Sequence, residues 1–428
     1  MEKLLKLASQ VADQADVYYQ EDSTDRIEFV DGKLEKADTS LSYGMALRVI
    51  KDGKVGLAHT CNLLDPQALT DQAVTSAANG MAVNIKLPFT KDLPKVEGYD
   101  PSIEKMDKKE LIAEGERLVQ YVKTRSQGQF NLDYGYSTSR MGIMNSAGTD
   151  LSQKDSTFWV YGQMIFPGTG SGLFEFRTGK GYVPLTEAML DEMLELFRIS
   201  ENQIVPPTGA LPVIFTDMTL SALLSRFFTA ASPVNIYNKV SPLCDRYGEK
   251  IFSEKISIRQ DPFDPELSIS TFDSEGTPTQ RMDYVEKGVF KAIPTDLNYA
   301  QKLGLEPTGN GFRPSFEYQP SAQPFNLSLE TGAQSMKEMI ASLDKGIIVQ
   351  SLMGAHSGNI LNGDYSVGVS TGFYIEKGVI LGRVKDCMLS GNAYDTLSKV
   401  TEVESIAHNL GSRKFPGILC DGISVTGK

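Results

Sequence analysis

Histidine and cysteine are scarce in this chain, with three His and four Cys among 428 residues. His59, His356 and His408 stand far apart, so no H-E-x-x-H pair can hold zinc from one helix. No G-x-S-x-G nucleophile elbow occurs either. Cys61, Cys244, Cys387 and Cys420 form no C-x-x-C pair, and in so long a chain they predict buried, reduced thiols rather than a disulfide framework. No apolar run reaches the length needed to cross a bilayer. The first residues, apolar at 4, 5, 7, 8, 11, 12 and 15, predict an amphipathic helix and not a secretory segment. Together these absences predict a cytoplasmic protein with no membrane association. Positive charge is also short: 42 Lys and Arg against 54 Asp and Glu give a net charge of −12. That balance argues against direct nucleic-acid binding, which draws its affinity from Lys and Arg on phosphates.

What is present reads as an α+β protein, with strands in antiparallel hairpins mixed with helices. Asp65-Pro66 and Asp107 through Glu110 are helix starts, and 186–199, 217–231, 296–303, 335–343 and 392–400 also have helical spacing. Asp31-Gly32, Asp52-Gly53, Lys287-Gly288 and Lys377-Gly378 each separate two apolar-containing runs, which predicts four hairpins. Pro206-Pro207 interrupts helix and sheet alike near the midpoint. It divides an N-terminal α+β domain, 1–205, from a mainly β domain, 206–428.

Four polar stretches are candidates for chemistry. Gly168 to Gly172 lacks the frame of a phosphate loop and reads as a hairpin connection. Asp261, Asp264, Glu266, Asp273 and Glu275 lack EF-hand spacing and read as exposed loop acids. Thr308 to Pro314 places Asn310 between two Gly, with Arg313 close by as a carboxylate-binding fork. Ser357 to Ser366 is a second polar loop, and the two loops together are candidates to line a pocket.

The order of Gly44 to Val49, Asn145 to Gly148, Asp273 to Thr277, Thr308 to Gly311, Gly363 to Ser366 and Glu376 to Gly378 resembles the TldD/PmbA family, the "modulator of DNA gyrase" proteins. The resemblance implies an α+β fold of two lobes with large, mainly antiparallel sheets packed with helices, and a two-subunit peptidase system. The TldD-type subunit carries zinc on a helix with His-Glu, three residues and His, plus a Cys near the C-terminus. The PmbA or TldE type lacks that motif and pairs with the first around a chamber for unfolded peptides.

On the segment matching the zinc helix this chain has Ser225, Arg226, Thr229 and Ala230, and no His or Glu from Met218 to Gly248. The family's Cys would fall near Phe415, and Cys420 does not match it closely. The resemblance therefore implies a PmbA/TldE-like subunit that binds no cofactor itself, with zinc on a TldD-type partner. No residue is assigned a catalytic or metal role, and whether the chain is an enzyme on its own stays open. Asn310, Arg313, Asp364 and His356, which adjoins the second loop, are the candidate peptide-binding residues. The alternatives are a homo-oligomeric peptide-binding or regulatory protein, and an autonomous hydrolase using His356 or His408.

Overall fold

Asp31-Gly32 and Asp52-Gly53 all lie at positive φ, 48°, 67°, 50° and 70°. This is the two-residue turn whose twist matches that of the strands it joins. In the computed structural model, which describes residues 1–427, these turns connect β1 (Gln14–Val30), β2 (Lys33–Lys51) and β3 (Lys54–Thr60). With β4 (Gln129–Asn145), β5 (Asp150–Ile165) and β6 (Gly172–Gly179) they form an antiparallel sheet in the order β3-β2-β1-β4-β5-β6. β6 is thus an edge strand, reached from β5 through the Gly168–Gly172 connection.

Helices cover one face of this sheet, and side-chain caps start most of them. α1 (Glu2–Ala8) is followed by α2 (Pro66–Ala78), where Asp65 accepts from the amides of Gln67 and Ala68. Asp107 caps α3 (Lys108–Lys123), and Thr186 caps α4 (Glu187–Ile199). The expected N-terminal helix is shorter than its apolar spacing suggested. It stops at Ala8, because Ala15 and Val17 are drawn into β1 and buried there.

The second sheet contains β7 (Gly209–Phe215), β8 (Lys345–Met353), β9 (Asp364–Glu376), β10 (Cys387–Asn392), β11 (Val400–Asn409) and β12 (Arg413–Gly427). Lys287-Gly288 and Lys377-Gly378 turn as the first two pairs do, at φ 46°, 79°, 49° and 76°. β7 and β8 run parallel, and the other pairings in the path β12-β7-β8-β9-β10 are antiparallel. β10 pairs again with β12, so the path closes into a ring without free edges. β11 lies outside this ring on β12. The helix expected over 392–400 is confined to Ala393–Ser398, because Val400 already belongs to β11.

α5 (Asp217–Ala230) buries Leu220, Leu223, Leu224 and Phe227 against the ring. A second apolar cluster crosses between the sheets. It joins Phe130 and Phe158 of the first, Leu118 of α3 and Phe197 of α4 to Ile348, Phe373 and Leu419 of the second. Pairing in the second sheet begins at Gln203–Ile204, just before Pro206, but the interior is continuous across that point.

Cys387 and Cys420 are buried and unbridged, whereas Cys61 is exposed, contrary to the expectation of buried thiols. Among the described residues no helix is long and apolar enough to cross a membrane.

Candidate functional site

α5 carries Ser225, Arg226, Thr229 and Ala230, the four positions that the resemblance sets against a zinc helix, and their side chains serve the protein's own backbone. Ser225 is exposed and donates to the Ala222 carbonyl at 2.8 Å, and Thr229 donates to Ser225 at 2.8 Å. Ala230 faces the core. Arg226 is only 1% exposed. Its Nη1 donates to the Ala222 carbonyl at 2.7 Å, and its Nη2 to the carbonyls of Ala355 at 2.9 Å and Ser357 at 3.0 Å. Its Nε donates to the Asp364 carbonyl at 3.1 Å. Burial disfavours the charged form of this guanidinium, which the neighbouring Tyr365 partly counters.

A buried guanidinium without a carboxylate carries a desolvation penalty of about several kcal/mol, which charge-assisted bonds to four carbonyls offset here. Two hydroxyls already committed to helix carbonyls, a methyl and a cation do not make a zinc ligand set. Among the described residues no group of three or more His, Cys, Asp or Glu could hold a metal ion. Phe415 and Cys420 both lie in the apolar core, and burial pushes the Cys420 thiol far up.

Arg226 gathers the second polar loop. His356 sits between two of the carbonyls it holds, with its own side chain exposed. Asp364 begins β9 with an exposed carboxylate that accepts from Asn392 Nδ2 at 2.9 Å.

Asn310 and Arg313 lie elsewhere, in a buried polar network between the two sheets. Asn310 is fully buried and donates to Gln260 Oε1 at 2.8 Å and to the Gln323 carbonyl at 2.7 Å. Arg313 Nη1 donates to the Tyr318 carbonyl at 2.8 Å, and Nη2 approaches Asp16 of β1 at 3.4 Å. Asp16 also accepts from Arg48 of β2 at 2.6 Å, and Arg48 reaches Glu275 at 2.7 Å. Burial pulls the Arg313 guanidinium down to about 10, against the pull of Asp16.

Asp273 and Glu275 are therefore buried, and the reading of them as exposed loop acids is corrected. Asp273 accepts from the amides of Glu275, Thr277 and Gly311, and Glu275 from that of Leu297. Sequence reasoning passed over Asp16 and Arg48. Their signal was a charge inside an otherwise apolar run, Ala15-Asp16-Val17 and Leu47-Arg48-Val49.

A cleft of about 930 Å³ lies between β6, α4, the start of α5 and the end of β11. Apolar Phe174, Phe176 and Ile406 share it with Glu175, Asp217, Glu404 and His408. Burial, then Asp217 and Glu192, push Glu175 up to about 7, while His408 and Arg177 oppose the rise. Asp217 is raised, first by burial, and His408 is raised mainly by Glu404, whose carboxylate lies 3.7 Å from its Nε2. Of the three histidines only His408 reaches this cleft, and none of the four candidate peptide-binding residues lines it.

Comparison with known proteins fits this architecture. The model of the PmbA/TldA metallopeptidase C-terminal domain matches residues 208–427, and that of the family's domain 1 matches residues 15–77. The chain is 26% identical to an uncharacterised protein of Methanocaldococcus jannaschii over 99% of both chains. It is 24% identical to metalloprotease PmbA of Escherichia coli O157:H7, over 99% of this chain and 94% of that one. The fold superposes on TldE from Thermococcus kodakarensis with a TM-score of 0.92 at 23% identity, covering 100% of both chains.

Proposed function

Because the chain belongs to the PmbA/TldD metallopeptidase family, we propose that it is the PmbA/TldE-like subunit of a peptidase pair, non-catalytic itself, which positions unfolded peptide for a zinc-bearing TldD-type partner. Arg226 carries this reading. With Ser225 at the first His position, the family's Glu is replaced by a buried cation bonded to four main-chain carbonyls. A guanidinium there repels a divalent cation and cannot act as a general base. In such a pair the partner's zinc would polarise the scissile carbonyl and activate water. This chain would hold the peptide extended, through backbone pairing on a free strand edge and through polar loops such as the one bearing His356 and Asp364.

The test is co-purification with a TldD-type subunit, measuring bound zinc and cleavage of an unfolded peptide for each chain alone and for the mixture. The expected result is no zinc and no cleavage by this chain alone, with stimulation on mixing. A second reading, an autonomous hydrolase, draws on the presence of His408 with Glu404 and Asp217 in the cleft. Cleavage by the isolated chain that is lost in His408→Ala would favour it and overturn the first. A stable homodimer indifferent to the zinc subunit would instead favour a peptide-binding or regulatory protein.

A further inference from the structure

The cleft is walled by a strand edge with unused hydrogen-bonding capacity. Ser171 directs its carbonyl to Phe166 at the end of β5, whereas the next carbonyl, Gly172, turns the other way and accepts from Thr371 Oγ1 at 3.0 Å. Backbone groups alternate sides along a strand. The amides and carbonyls of Phe174, Phe176 and Thr178 therefore face away from β5, and β6 has no other neighbour in its sheet. Among the described residues these groups make no hydrogen bond. All three residues line the cleft, whose opposite wall is β11. An open edge beside an apolar floor is the geometry in which an extended chain adds as a further strand.

The charge of the cleft narrows the choice of guest. Glu175 projects from β6 between the outward-facing positions, and Asp217, Glu192 and Glu404 face the same space. Arg177, Lys180 and His408 are the basic groups there. Glu175 is held partly protonated near neutrality by burial and by its acidic neighbours. A cation seated beside it would relieve that repulsion, whereas an anion would add to it.

We propose that this cleft binds an extended peptide as an added strand on β6, with a positively charged group of the peptide seated against Glu175 and Asp217. The proposal rests on the peptide-positioning role above and deepens it, naming the edge and the preferred charge.

The test is fluorescence anisotropy on the full chain without a partner, so its result is independent of any cleavage. The probe is a labelled, unstructured ten-residue peptide with one central lysine. Two variants of it replace lysine by norleucine or acetylate the amino terminus. Phe176→Pro removes an outward amide that β5 does not use, a substitution that edge strands tolerate. It is expected to weaken binding by up to about tenfold, the loss of one net hydrogen bond. The pair Glu175→Gln with Asp217→Asn is expected to weaken the cationic peptide by a similar factor and to leave its uncharged counterpart unchanged. Loss on norleucine assigns the cation to a side chain, loss on acetylation assigns it to the amino terminus, and loss on neither overturns the charge preference.

Hydrogen exchange provides a check that needs no substitution. Peptide should slow exchange at the amides of Phe174, Phe176 and Thr178, and unchanged exchange there overturns the added strand. Peptide binding without any stimulation of a zinc partner would leave this proposal standing while sinking the subunit role.

Discussion

Arg226 Nε donates to the main-chain carbonyl of Asp364 at 3.1 Å, tying α5 to the first residue of β9 across 138 positions of sequence. The same side chain holds the carbonyls on either side of His356. α5 thus presents a clamp on a loop.

Arg226→Met should therefore loosen the loop as well as the helix. It would leave the carbonyls of Ala355, Ser357 and Asp364 without their charged donor, at a cost of about 2–4 kcal/mol once water reaches some of them. Thermal unfolding should show a lower Tm, and limited proteolysis should show new cleavage within 354–363. Arg226→Lys should fall between, because an ammonium lacks the planar fork that spans these acceptors. An unchanged Tm together with an unchanged cleavage pattern would show that the clamp bears no load.

The network of Asp16, Arg48, Glu275 and Arg313 is predicted to be strongly coupled. Asp16→Asn strips a buried charge from two guanidiniums, and Arg48→Met strands two carboxylates. Each should destabilise by about 3–5 kcal/mol. The double variant should lose clearly less than the sum, since each change removes the other's unmatched partner. A denaturant double-mutant cycle checks this, and strict additivity would argue against direct pairing.

Glu175 leads to a stability prediction with a definite sign. Its folded value of about 7 lies above the ordinary 4.5, so the folded state holds this proton more tightly than the unfolded chain does. The group thus has no adverse effect below about pH 4.5. Its destabilising contribution grows as pH rises toward 7 and is constant above. Glu175→Gln should leave Tm nearly unchanged at pH 4 and raise it by a few degrees at pH 8. Equal effects at both values would contradict the assigned environment.

How much of this was legible in the sequence depended on the range of the interaction. All four Gly-containing hairpin pairs turn as read, because positive φ is a local demand that Gly meets without a Cβ. Asp65, Thr186 and Ser335 cap the helices expected after them for the same local reason. Asp273 and Glu275 looked like loop acids because their justification, Arg48 and a row of amides, comes from residues far away in the chain. Nor could the cleft be read, since β6 and β11 approach only after both sheets have formed. Glu175, set between two phenylalanines, was a visible irregularity whose meaning depended on Asp217 and His408 arriving from elsewhere.

The ring of the second sheet closes through β12, which pairs with β7, β10 and β11. β7 is made some two hundred residues earlier and must wait, with the apolar face of α5 uncovered, until this last strand of the sheet emerges from the ribosome. Until β12 is added, the second half of the growing chain has unpaired strand edges and uncovered apolar surface, the features that make a folding intermediate prone to aggregate.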